Sequence, residues 1–197
     1  MRIVFMGTPD FSVPVLEALV QEGHEVVQVV TQPDKPKGRG KSVLMTPVKE
    51  KALALGLPVW QPERIRRPEA VEQLKELAPD VIVVVAFGQI LSRQVLDIPR
   101  FGCVNVHASL LPKYRGAAPI QWAILDGETC TGVTTMLMDE GIDTGDMLEK
   151  MEVPIAPDET GGSLHDKLSR AGAELIRSTL RRLEAGTLVP EPQTEEG

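Results

Sequence analysis

Residues 80–87 read DVIVVVAF, with five consecutive β-branched aliphatics at Val81–Val85 and no polar alternation. A run of that kind is a strand covered on both faces, the setting of a parallel sheet with helices packed on each side. The composition agrees. Hydrophobic residues make up 42% and aromatics only 4%, so small branched aliphatics fill the core.

Strand and helix signals alternate around that run. Residues 2–7 are a second apolar strand. Asp10 and Ser12 are candidate caps for a helix over residues 12–22, with Pro14 near its first turn and Gly23 as its stop. Residues 25–32 are a strand, and 33–45 a loop rich in Pro, Gly and Lys. Thr46 caps, Pro47 opens and Gly56 closes the next helix. Residues 58–61 form a short strand and 68–78 a third helix. Strands follow at 102–108, 131–138 and 147–155, the last near a sheet edge because Pro154 lies in it. A final helix over 163–185 has an apolar face of Leu164, Leu168, Ala171, Leu175, Leu180 and Leu183, and ends at Gly186. The alternation predicts a doubly wound α/β fold, Rossmann-like, with a mostly parallel central sheet. Ligands on such sheets gather at the carboxyl ends of the strands. The tail TLVPEPQTEEG is proline- and acid-rich, without periodicity, and reads as a linker or terminus outside the core.

Two cysteines, Cys103 and Cys130, make neither a disulfide framework nor a spaced metal site, and a reducing cytoplasm is expected. The start has no signal-peptide h-region, and no apolar run approaches the ~20 residues of a membrane span. The net charge of −7 argues against a polyanionic partner. The charge is uneven, however. Residues 34–51 hold six bases and two acids, a local +4 that leaves −11 on the remainder of the −7 total. A basic loop on an acidic body suits a directed anionic contact, although a solvated loop is the commoner reading of such a segment.

Several familiar motifs fail on inspection. Gly7-Thr8-Pro9-Asp10 follows the first strand where a dinucleotide fold carries G-x-G-x-x-G. Only one glycine is present, and Pro9 removes a donor. Gly38-Arg39-Gly40-Lys41-Ser42 resembles the end of a P-loop, but Lys35 stands where glycine is needed and no apolar helix follows at once. His24, His107 and His165 have no metal-ligand spacing, and His24 and His165 read as ordinary surface residues. Ser109 lacks a nucleophile elbow. The acidic turn 139–145 does not match the ligand positions of a calcium loop.

What survives is the run from Gly102 to Gly145. Asn105 and His107 are two apart on a strand, so both side chains leave the same face. Asp143 follows the next strand in a glycine-rich turn. An amide, an imidazole and a carboxylate in one pocket have the parts to polarise a carbonyl and move a proton. A lone strand histidine is more often structural, but Asn105, Ser109 and Asp143 in the same neighbourhood leave His107 open between the two roles.

Together, the opening FMGTPDF, the loop TQPDKPKGRGK, the strand VVVAFGQIL and the stretches NVHASLLPKYRGAAPIQWAILDG and TGVTTMLMDEGIDTGDML resemble the formyltransferase family that uses 10-formyltetrahydrofolate. The likeness runs to about Gly186. The basic loop and RGAAPIQ are similar in particular to members acting on initiator tRNA.

The resemblance implies catalytic roles for Asn105, His107 and Asp143. It implies folate contacts by Ser109, Leu110, Leu111 and Pro112, and a pterin pocket lined by Phe87, Gly88, Ile90 and Leu91. It also implies tRNA contacts by Lys35, Lys37, Arg39 and Lys41. The expected reaction moves a formyl group from 10-formyltetrahydrofolate, without a metal, to the α-amino group of methionyl initiator tRNA. Asp143 would orient His107 and favour its protonated form. Rival expectations are a relative acting on a small sugar or ribonucleotide amine, a hydrolase passing formate to water, and a non-catalytic folate-binding module. Residues 1–186 would be the catalytic domain and 187–197 a linker towards a C-terminal β-barrel domain that helps bind tRNA. A cytoplasmic monomer with weakened tRNA affinity is expected of these 197 residues.

Overall fold

The computed structural model describes residues 1–36 and 43–194. Among the described residues, nine strands and six helices follow one another: β1 (Arg2–Gly7), α1 (Val13–Gln21), β2 (Glu25–Val30), β3 (Lys35–Pro36), β4 (Val43–Leu44), α2 (Pro47–Ala54), β5 (Val59–Trp60), α3 (Pro68–Leu77), β6 (Val81–Val85), α4 (Arg93–Leu96), β7 (Cys103–His107), α5 (Pro119–Leu125), β8 (Cys130–Leu137), β9 (Met147–Pro154) and α6 (Gly161–Ala185). Seven strands form one sheet in the order β5-β2-β1-β6-β7-β8-β9. The first five are parallel, and β8 and β9 run antiparallel to their neighbours. The run Val81–Val85 occupies the centre as β6, every residue buried. Pro154 closes β9, which is an edge strand.

Period-two alternation divides the core between the two faces of the sheet. Ile3, Phe5, Val83, Val85, Val104 and Val106 point to the face covered by α1 and α6. Val4, Met6, Ile82, Val84 and Cys103 point to the other, with Ile65 and Leu74. Leu164, Leu168, Leu175, Ile176 and Leu180 form the buried stripe of α6. Among the described residues, no helix is long and apolar enough to cross a membrane.

The chain lays down β1, β2 and β5 in one direction, then returns to the other side of β1 to place β6 and β7. The order reverses between β1 and β6, which opens a crevice beyond their carboxyl ends.

Local signals held in part. Thr46 caps α2, its Oγ1 accepting from the Lys49 N–H at 3.1 Å. Ser12 does not cap α1. Its buried hydroxyl donates to the Val85 carbonyl, tying the helix start to the end of β6, and residues 10–12 form a 3-10 turn first. The last helix starts two residues earlier than predicted, because Thr160 and Ser163 make a reciprocal capping box. Two short helices, α4 and α5, and the β3–β4 hairpin are additions to the predicted elements. The start of the tail packs on the core through Leu188, and the tail is docked beyond it. Glu191 and Met147 exchange backbone hydrogen bonds, each 2.8 Å.

Candidate active site

β7 delivers Asn105 and His107 to the crevice. Both share the face of Cys103, and they are only 9% and 8% exposed. The antiparallel β8 continues into the turn 139–145, which folds back towards them. Asp139 Oδ1 pins this turn by accepting from the Gly141 N–H at 2.9 Å and the Thr144 hydroxyl at 2.7 Å. Gly145 closes it against β8, where an added Cβ would lie 1.7 Å from the Leu137 carbonyl oxygen. Only glycine permits that approach. Asp143 itself takes a left-handed backbone, φ 54°.

The three groups converge. Asp143 Oδ1 accepts from Asn105 Nδ2 at 3.5 Å and stands 3.6 Å from His107 Nδ1. Its other oxygen accepts from the Gly116 N–H at 2.7 Å. His107 Nε2 lies 2.7 Å from the Tyr114 carbonyl oxygen. A carbonyl carries no proton, so Nε2 is the donor. The imidazole is thereby held between a carbonyl and a carboxylate, both acceptors.

The loop supplying those backbone groups is itself anchored. The Tyr114 hydroxyl donates to Asp126 at 2.6 Å and to Glu128 at 3.2 Å. The Asp126 hydrogen bond, aided by desolvation, pushes the phenol well above its usual range. Tyr114 and Ala118 are left-handed, as is Ala86 beyond β6. Four non-glycine residues in this sparsely populated region therefore surround one crevice. Backbone strain of that kind concentrates at functional sites.

A cavity of about 690 Å³ opens here. That is within the ~300–1,000 Å³ usual for small-molecule sites. Phe11, Phe87, Ile120, Met138 and Ile142 line it with apolar surface, and Asn105, His107, Asp143 and Gln121 bring polar groups to the same wall. His165 also lines it, with its ring edge-on to Phe11 at 5.4 Å and Nε2 3.4 Å from Asp10. The expectation that His165 is an ordinary surface residue is corrected. It lies 58 positions from His107, and no local signal in the sequence links the two.

The structure divides the other expected site residues. Phe87 and Gly88 line the cavity. Ile90 is 71% exposed outside it, and Leu91 packs into the core beneath β6. Ser109 and Leu111 are fully buried. The Ser109 hydroxyl donates to the Lys113 carbonyl at 2.5 Å. Thr134 staples this segment to β8, donating to the Ser109 carbonyl at 2.7 Å and accepting from the Leu111 N–H at 3.1 Å. Ser109 and Leu111 thus buttress the segment beside the cavity, while Leu110 and Pro112 are partly exposed. Lys35 is exposed in β3, whereas Lys37, Arg39 and Lys41 lie outside the described residues. Two of the local bases are paired. Lys49 contacts Asp34 at 2.7 Å and Lys51 contacts Glu17 at 3.9 Å. The hydrogen bonds from Lys49 and Gln61 hold the Asp34 carboxyl below its usual range. Among the described residues, no three His, Cys, Asp or Glu side chains are grouped to hold a metal.

Residues 1–180 match the family model described as formyl transferase. A methionyl-tRNA formyltransferase from Agathobacter rectalis is 63% identical over 196 residues, covering 100% of this chain and 63% of that protein. One from Citrifermentans bemidjiense is 60% identical over 195 residues, covering 99% and 61%. The chain thus spans under two thirds of the length of these relatives. Among solved structures, phosphoribosylglycinamide formyltransferase from Bacillus halodurans superposes with a TM-score of 0.76 at 27% identity, covering 93% of this chain and 95% of that one. An N-formyltransferase from Helicobacter canadensis, solved with folinic acid and dTDP-3-aminofucose, has the same fold. Its TM-score is 0.73 at 23% identity, with coverage of 100% and 68%.

Proposed function

We propose, from the premise that this chain belongs to the formyl transferase family, that it moves a formyl group from 10-formyltetrahydrofolate to the α-amino group of methionyl initiator tRNA. The observation that carries the reading is the convergence of Asn105, His107 and Asp143 in the wall of the switch-point cavity. The names borne by relatives at about 60% identity support the choice of acceptor.

The chemistry needs the amine nitrogen to attack the formyl carbon while that carbon's bond to N10 breaks. Asn105 Nδ2 has two hydrogens. One is directed at Asp143, and the other is free to donate to the oxygen that gains charge as the carbonyl becomes tetrahedral. His107, anchored through Nε2 on Tyr114, turns its Nδ1 edge to Asp143. The proton lost by the attacking amine passes through this pair to N10, so the folate departs neutral at that nitrogen. The apolar wall of Phe87, Met138 and Ile142 suits a flat heteroaromatic ring and excludes water that would otherwise take the formyl group. Lys35 and the basic residues 37–41 favour a polyanionic acceptor over a small amine. Two free thiols suit a cytoplasmic enzyme.

The test presents the 197-residue chain with 10-formyltetrahydrofolate and charged initiator tRNA, with water and small amines as competing acceptors. Formylmethionyl-tRNA is the expected product. Formate alone, or a formylated small amine with no formylated tRNA, would overturn the reading in favour of a hydrolase or a small-amine relative.

A further inference from the structure

Beyond Gly186, which ends α6, the chain runs back across the molecule to the catalytic turn. The Glu191–Met147 backbone pair holds it at the start of β9. Two residues later the Gln193 side chain joins three groups. Its Nε2 donates to the Asp143 carbonyl and to the Gly145 carbonyl, each at 2.8 Å. Its Oε1 accepts from Arg115 Nε at 3.0 Å, and Arg115 Nη2 donates to the Thr194 carbonyl at 3.1 Å. Arg115 adjoins Gly116, whose N–H holds Asp143 Oδ2. The loop that anchors His107 and the turn that carries Asp143 are therefore linked twice, once directly and once through Gln193.

We propose that Gln193 is a positioning residue of the active site, clamping the Asp143 turn to the Arg115 loop so that the carboxylate keeps its place against His107 and Asn105. Three chemical facts support this. A primary carboxamide offers two N–H donors on one nitrogen and an acceptor beside it, which is the set these partners require. Glutamate would turn a carboxylate on two carbonyl oxygens, alanine would leave them to water, and asparagine is one methylene short. Asp143 is held in a left-handed conformation, so its turn depends on outside contacts to stay there. Finally, the contacts of Asp143 with Asn105 and His107 are 3.5 and 3.6 Å long, where a shift of a few tenths of an ångström decides whether a hydrogen bond exists.

The catalytic consequence rests on the formyl-transfer reading, whereas the clamp itself does not, and the test separates them. Gln193→Ala and Gln193→Glu are compared with the parent chain by steady-state transfer and by hydrogen exchange of the amides in 139–146. The expected result is a kcat lower by about ten- to hundredfold, because misplacement on this scale costs that much, with KM for the formyl donor nearly unchanged. Exchange should quicken in 139–146 and stay unchanged in β1 and β6. Parent-like kcat and parent-like exchange in both variants would overturn the proposal. So would a variant whose stability, kcat and KM all fall together with exchange quickened throughout the sheet. If the parent chain transfers no formyl group, the functional reading fails, and exchange alone decides the clamp. Faster exchange confined to 139–146 supports it, and unchanged exchange overturns it.

Discussion

The Nε2 of His107 donates to the carbonyl oxygen of Tyr114 at 2.7 Å, and this one bond fixes which edge of the imidazole meets Asp143. With Nε2 committed, Nδ1 is left 3.6 Å from the carboxylate. The backbone of a loop thus selects the working face of the ring, as hydrogen bonds to the second nitrogen of a histidine generally do. That loop is held in turn by the Tyr114 hydroxyl on Asp126 and Glu128.

Replacing either member of the β7 pair should stop transfer without unfolding the chain. In the proposed mechanism Asn105→Ala removes an oxyanion donor, at an expected cost of about 10²–10³-fold in kcat. His107→Ala removes the proton carrier, at about 10²–10⁴-fold. Circular dichroism should show the parent fold in both. Transfer rates near the parent's in either variant would remove these residues from the mechanism.

Asp143→Asn separates charge from shape. Asparagine accepts a left-handed backbone and keeps an oxygen for the Gly116 N–H. Thermal unfolding should therefore stay close to the parent's. Transfer should fall about 10²–10⁴-fold, because a neutral amide cannot relay the proton in the proposed mechanism. A variant with parent-like rate would leave the carboxylate with a structural role only.

Gly145 and Gly186 make an informative pair for stability. At Gly186, φ is +71° and nothing stands within 4 Å of an added Cβ, so Gly186→Ala costs only left-handed strain, about 1–2 kcal/mol. At Gly145 the new Cβ collides with the Leu137 carbonyl, and backbone cannot step aside cheaply. Gly145→Ala should be the more destabilising in urea denaturation. It should also slow transfer about tenfold or more, since Asp143 moves with the turn.

An acid-sensitive contact lies outside the cavity lining, at the start of α6. The Lys167 ammonium, the Ser163 hydroxyl and the Ala156 N–H all bond the Glu159 carboxylate and hold its pKa at about 2 instead of 4.5. The fold favours the ionised form, so this contribution is complete above pH 4.5 and is lost as the pH falls from there towards 2. Glu159→Gln should be less stable than the parent at neutral pH, with the gap narrowing below that threshold. Urea midpoints measured across this range provide the check. A gap that stays constant with pH would contradict the assignment.

Much of the sheet was legible because its signals are local. The β-branched run Val81–Val85 has no comfortable place except between two layers of helices, and it became the central strand. Asn105 and His107 share a face because side chains alternate along any strand, whatever lies next to it. Thr46 and Gly186 bracketed helix ends through residue chemistry alone. The short α5 was not legible. It starts on Pro119 after a left-handed Ala118 with no side-chain cap, and its seven residues are too few for a period to emerge.

The amino-acid sequence by itself determined the layers, the strand that carries the amide and imidazole, and the glycine-bearing turn that carries the carboxylate. Only the tertiary structure decided what surrounds them. Asp143 reaches Asn105 across 38 positions because β8 returns antiparallel beside β7. Tyr114, Gly116 and Gln193 act there through backbone groups or one neutral amide, and His165 arrives from a distant helix. Backbone carbonyls are the same at every position of a chain, and so are the N–H groups except at proline. The left-handed residues Ala86, Tyr114, Ala118 and Asp143 are not glycines, so residue type does not announce their conformation. Which of these identical groups face the reacting atoms is set by strand order and loop packing, and those exist only once the chain has folded.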